Sequence, residues 1–144
     1  MSAGVIRLFL IQKRVIRLIF NIKFRETCRD TFRRYNILTV ASIYLYKILS
    51  FIHSNVNSIN KRSDIHTYNT RSNNHLCLSS HNHTYYKHSP MYSGSWLYNM
   101  LPANLKNGSD VAKVRSELKR FLCRRAFYSV AEFVGEMGDG TSVC

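Results

Sequence analysis

Phosphoryl chemistry would need converging acids, and the aspartates available are Asp30, Asp64, Asp110 and Asp139. Nucleotidyl transfer and most nuclease reactions clamp a phosphate between metal ions, which two or more acids must hold. These four are scattered. Each sits beside an expected helix end or turn, where a carboxylate caps a helix or faces water. A metal site has a second set of candidates in His75, Cys77, His81, His83 and His88. Structural zinc sites join two close ligand pairs through a longer loop. Here His75-x-Cys77 and His81-x-His83 are separated by only three residues, so the set reads as polar loop histidines and no metal or other cofactor is expected. Nucleophilic catalysis has no G-x-S-x-G elbow, no papain-like cysteine surround and no P-loop to rest on. Ser93-Gly94-Ser95 reads as a bend or a helix start. The chain is expected not to be an enzyme and to take no small-molecule substrate.

Cations are the chemistry the sequence does carry. Twenty-one Lys and Arg stand against eight Asp and Glu, for a formal net charge of +13. Such an imbalance repels itself unless a polyanion is near. RNA, DNA and an anionic membrane surface all qualify, and so does a role in solubility alone. Nucleic acid comes first, because the charges are spread over several segments and interleaved with nine Tyr and eight Phe. Arg14 and Arg17 stand with Arg7 on one expected helix. Arg29, Arg33 and Arg34 lie in a basic connector. Lys113, Arg120 and Arg124 line another helix. Together they would form one phosphate-binding patch.

The elements that must position these cations follow from apolar spacing. The length of 144 residues, 45% apolar, suits one domain with a real core, expected over residues 5–134. The spacing predicts an amphipathic helix over 5–22, with Leu8, Ile11, Val15, Leu18, Ile19 and Ile22 as its core stripe. A basic connector with a short helical turn follows over 23–38. Thr39 is the expected N-cap of a deeply buried helix over 40–54, whose inner face is Val40, Tyr44, Ile48, Phe51 and Ile52. Residues 55–89, rich in Ser, Asn, His and Tyr, read as a long polar loop. Short β pieces at Tyr68 to Arg71 and His75 to Leu78 would pair weakly there. A short helix over 91–100 is expected to anchor Tyr92, Trp96, Leu97 and Met100, and Leu101-Pro102 ends it. The last long helix spans 110–127, with Val111, Val114, Leu118, Phe121 and Leu122 inward. Ser129 and Glu132 match a capping box for a final short helix. Residues 135–144 read as a flexible tail. The fold class is therefore mainly α: a small domain of three to five helices with a long polar loop or short β pieces in the middle.

Cysteines and hydropathy bear on compartment. Cys28, Cys77, Cys123 and Cys144 are irregularly spaced and no clean signal peptide precedes them, so reduced thiols and an intracellular setting, nucleus or cytoplasm and not secreted, are expected. No apolar run approaches the length of a membrane span.

Several short runs, taken in order, resemble one family. They are Ile11-Gln12-Lys13-Arg14-Val15-Ile16-Arg17-Leu18-Ile19, then Arg25-Glu26-Thr27-Cys28-Arg29, Phe32 and Ile37-Leu38-Thr39-Val40. His66-Thr67-Tyr68-Asn69-Thr70-Arg71 and Ser89-Pro90-Met91-Tyr92 follow. Leu97-Tyr98-Asn99-Met100-Leu101-Pro102 and Ala126-Phe127-Tyr128-Ser129-Val130 complete the series. This order is similar to the C-terminal region of reverse transcriptase polyproteins from jockey-like non-LTR (LINE-type) retrotransposons, over roughly residues 8–134. The resemblance implies a region trailing the polymerase palm that helps hold template RNA or target DNA. The Tyr/Phe-Ala-Asp-Asp polymerase motif and the endonuclease acids are absent, so RNA-directed DNA polymerase activity does not carry over. Nor does a zinc knuckle.

The reading that follows is a non-catalytic RNA- or DNA-binding fragment of such a polyprotein. Its phosphate contacts would be Arg14, Arg17, Arg29, Arg33, Arg34, Arg71, Lys113, Arg120 and Arg124, with Tyr68 as a stacking residue. Two alternatives stay open. One is a membrane-surface or organelle-targeted protein driven by residues 5–22. The other is an inert translated retroelement fragment.

Overall fold

A computed structural model describes residues 3–61, 75–78, 89–106, 108 and 110–138. The chain is mainly α-helical. Among the described residues seven α-helices follow in order: α1 (Ala3–Phe20), α2 (Arg29–Arg34), α3 (Val40–Ser54), α4 (Pro90–Met100), α5 (Ala103–Lys106), α6 (Val111–Arg125) and α7 (Val130–Gly138). A 3-10 turn, Val56–Ser58, extends the end of α3. The count exceeds the expected three to five because the connector and the segment after Pro102 each wind one short helix of their own.

Local chemistry explains where the helices begin. Thr39 caps α3 by accepting the Ser42 N–H at 3.1 Å, and its hydroxyl also meets the Phe127 carbonyl. Ser89 accepts the Tyr92 N–H at 3.2 Å, and Pro90 occupies the first turn of α4, where no N–H is needed. Asp110 accepts the N–H groups of Ala112 and Lys113 at the start of α6. Ser129 accepts the Glu132 N–H at 3.1 Å while Glu132 reaches back to the Tyr128 N–H at 2.8 Å. The reciprocal bonding is that of a capping box, displaced by one residue on the return arm.

The main core lies between α3, α4, α6 and α7. Leu45, Ile48, Leu49 and Ile52 of α3 meet Leu97, Tyr98, Leu118, Leu122, Phe127 and Phe133. Gly94 sets the closeness of α3 and α4: a Cβ there would stand 2.7 Å from Ile52 Cγ1 and 2.9 Å from Ile48 Cγ1. The expected burial of α3 is found, yet its inner face is turned from the one predicted. Tyr44 and Phe51 are exposed, and Leu45 and Leu49 take their places. Trp96 and Val111 also face outward, while Tyr98 is buried.

A second, smaller core seats α1 and α2. Ile16, Cys28, Phe32 and Ala126 are buried in it, with Phe20, Ile22, Ile37 and Tyr128 packed around them. Ala126 ends α6 in the left-handed conformation, φ 50°, which turns the chain back over this core. The orientation of α1 corrects the sequence reading. Leu8, Ile11, Val15, Leu18 and Ile19 face solvent, and the buried residues are Phe9 and Ile16. α1 has two apolar faces, and the one that carries aromatic rings wins. Phe9 packs edge-on to Tyr128 at 4.8 Å. Gln12, on the same side, donates to the Leu38 carbonyl at 2.8 Å and accepts the Val40 N–H at 3.0 Å, bracketing the start of α3. Periodicity finds an apolar face without saying which of two faces meets the core.

The polar middle contributes more to the core than its composition suggests. Leu76 is buried in the main cluster. It forms an antiparallel bridge with Lys61, and the Cys77 N–H bonds the Asn60 carbonyl at 2.8 Å. Tyr68 to Arg71 lie outside the described residues. At the other end, 135–138 are not tail: α7 runs to Gly138, with Met137 against the core and Glu136 paired with Arg125.

Candidate nucleic-acid interface

α6 carries its cations on one face. Lys113, Arg120 and Arg124 are spaced by seven and four residues, so Lys113 and Arg120 stand two turns, about 10 Å, apart and Arg120 and Arg124 one turn, about 6 Å, apart, with Glu117 on the turn between the first two. All three are exposed. With Asn104, Glu117 and Phe121 they line a groove of about 740 Å³ between α6 and the segment around α5. Asp110, at the upper end, has its carboxylate turned to the helix N-terminus as the cap. The cationic end of the groove is therefore the Arg120–Arg124 end. Phe121 is half-buried, with one flank on Phe127 at 6.3 Å and the other on the groove.

The C-terminus of α6 meets the C-terminus of α2. Arg33 donates to the Arg125 carbonyl at 3.3 Å and lies 3.8 Å from Asp30. Arg34 is exposed beside it, its guanidinium 5.9 Å from the Tyr35 ring centroid. Arg33, Arg34, Arg124 and Arg125 thus gather at one corner of the molecule. Cations near helix C-termini also satisfy the negative end of each helix dipole, so part of this clustering has a local cause.

The remaining expected cations are placed differently. Arg29 pairs with Glu132 at 2.7 Å and lies over the Tyr128 ring at 4.4 Å. Arg17 donates to the Glu26 carbonyl at 3.3 Å and covers Phe24 at 5.6 Å. Its half-buried guanidinium fastens the end of α1 to the connector. Arg14 is exposed on the outer side of α1. Tyr68 and Arg71 lie outside the described residues. So Lys113, Arg120 and Arg124 line the groove, Arg33 ties α2 to the end of α6 with Arg34 exposed next to it in the chain, and Arg29 and Arg17 make internal contacts.

Sequence reasoning missed Phe121 and Asn104 as parts of this surface. Phe121 had a signal: on the helical wheel it stands between the cation face and the Val114–Leu118–Leu122 face. Asn104 reaches the surface through the α5 turn, which no spacing reveals.

Titration is shifted mainly by burial. The Cys123 thiol is pushed up by desolvation, opposed by the nearby charge of Lys119, and it donates weakly to the Asn36 carbonyl at 3.4 Å. A raised thiol is a poor nucleophile. Lys106 is lowered by desolvation and donates to the Asn99 carbonyl at 2.6 Å. Among the described residues no group of three His, Cys, Asp or Glu side chains is arranged to hold a metal ion. Comparison with family models, with curated proteins and with solved structures finds no match to this chain. No helix among the described residues is long and apolar enough to cross a membrane.

Proposed function

We propose that this chain is a non-catalytic RNA- or DNA-binding module, related to the C-terminal region of a jockey-like non-LTR retrotransposon reverse transcriptase. The observation that carries the reading is the α6 groove, with Lys113, Arg120 and Arg124 on one exposed face and the half-buried Phe121 ring beside them. Cations spaced along one helix face meet backbone phosphates, and the exposed part of the Phe121 ring, with the Arg125 guanidinium 5.9 Å from its centroid, offers an aromatic contact to an unpaired base. The aromatic ring of Phe121 in the groove favours a single strand, whose bases are unpaired, over a duplex. Arg33, bonded to the Arg125 carbonyl, and the exposed Arg34 beside it in the chain add positive charge near the C-terminal end of α6.

The test is titration of labelled single-stranded RNA, single-stranded DNA and duplex DNA at several salt concentrations. The expected result is single-strand binding with a steep dependence on salt. The triple substitution Lys113→Gln, Arg120→Gln, Arg124→Gln lowers affinity for every sequence alike. It also reduces the log–log salt slope by about two, given roughly 0.7 per phosphate contact on a single strand. Binding that survives the triple variant with the same slope would overturn the assignment of the groove. Binding that is equal for all three polymers and gone at physiological salt would overturn the function.

A further inference from the structure

α1 shows an apolar ridge that no described residue covers. Leu8, Ile11, Val15, Leu18 and Ile19 are all exposed, Leu18 to 83%, and Phe24 just beyond the helix to 87%. At 3.6 residues per turn these five α1 side chains fill a sector of about 100° facing away from Phe9 and Ile16. Arg7 and Arg14 run along one border of the sector. Beyond them lie Ile6 and Leu10, also exposed. Between Ala3 and Arg25 there are six Lys or Arg and no acid, the first being Glu26.

We propose that α1 lies in the surface of an anionic lipid bilayer, with the ridge sunk below the headgroups and Arg7, Arg14, Lys23 and Arg25 on the lipid phosphates. The chemistry of the ridge selects this occupant. A bilayer surface is the environment that offers an apolar plane edged by negative charge, and a basic amphipathic helix lies in it with its apolar face inward. Arg side chains between two apolar sectors can rise along their stems to the headgroups. A second copy of the chain fits less well, because antiparallel packing of two ridges sets Arg7 and Arg14 against their own counterparts. A single partner helix would cover the narrow seam Leu8, Ile11, Val15 and Leu18, and leave Ile19, Leu10 and Phe24 in water. The ridge and the α6 groove use different residues, so this inference stands apart from the nucleic-acid reading.

The experiment is flotation of the full chain with vesicles of phosphatidylcholine alone or mixed with phosphatidylserine. Binding to the mixed vesicles and not to the neutral ones is expected. Ile11→Ser with Leu18→Ser keeps the net charge and touches no buried residue; circular dichroism checks that the helices persist. This pair should reduce partition into mixed vesicles about tenfold or more, from the lost apolar burial, and leave RNA affinity unchanged. Unchanged vesicle binding by the pair would reduce the effect to charge alone and overturn the proposal. So would failure of the parent chain to bind either vesicle. A dimer in sedimentation that the serine pair dissociates would assign the ridge to a second copy instead.

Discussion

The side chain of Asn99 holds the backbone of Leu76 by both of its polar groups. Its carbonyl oxygen accepts the Leu76 N–H at 2.8 Å and its amide donates to the Leu76 carbonyl at 3.0 Å. The carboxamide thus stands in for a β-strand neighbour. Leu76 can be buried at 1% exposure because its peptide groups keep partners away from water.

Asn99→Ala removes both partners at once. The buried peptide groups of Leu76 then lose their bonds, at a cost of about 1–3 kcal/mol. Urea unfolding should show a lowered midpoint with little change in slope. Asn99→Asp tests the geometry, since a carboxylate accepts from the N–H and repels the carbonyl; it should be about as destabilising as the alanine. A midpoint within error of the parent would mean that the residue 75–78 segment is not held by Asn99.

A second prediction concerns pH. His53 is buried and its Nδ1 lies 3.0 Å from the Tyr98 hydroxyl, linking α3 to α4. Desolvation lowers the His53 pKa, and the positive charge of Arg115 lowers it further. Arg115 is fixed there by donating to the Ser54 hydroxyl at 2.9 Å. The folded state therefore binds the His53 proton less well than the unfolded chain does. Stability is complete above the unfolded value of about 6.5 and declines as pH falls from there toward the lower folded value. Urea midpoints measured between about pH 7.5 and 5 should fall with pH, and His53→Leu should flatten that fall. An equal fall in the variant would place the titration elsewhere.

What could be read from the sequence divides by range. The starts of α3 and α6 were legible, because Thr39 and Asp110 act on backbone groups within three residues. The presence of an apolar face on α1 was legible too. Its direction was not, since the choice rests on Tyr128 and on backbone at Leu38 and Val40, all distant in the chain. Leu76 sits among polar residues and owes its burial to Asn99, twenty-three positions on. For the site, the three cations of α6 share a face by spacing alone, so their grouping could be read. The internal roles of Arg17 and Arg29 depend on Glu26, Phe24, Glu132 and Tyr128, and only a fold supplies those neighbours.

That division gives a third prediction, which separates cations that hold the fold from cations free to hold phosphate. Arg29 joins α2 to α7 through Glu132 and lies on Tyr128, with both ionic side chains about 30% exposed. A partly sheltered bidentate-capable pair with a ring contact is worth about 1–2 kcal/mol. Arg29→Ala should therefore lower the unfolding midpoint. Arg29→Lys should recover only part of the loss, because an ammonium cannot stack on the ring as a planar guanidinium does. Arg120 and Arg124 are exposed on the groove, and their alanine variants should leave stability within about 0.5 kcal/mol. RNA affinity should rank the other way: reduced for Arg120→Ala and Arg124→Ala, and near the parent value for Arg29→Ala at a temperature where that variant is fully folded. If Arg29→Ala lost affinity while remaining folded, the cationic surface would extend across α2 and over Tyr128. If neither groove arginine changed affinity, the strand would lie elsewhere on the molecule.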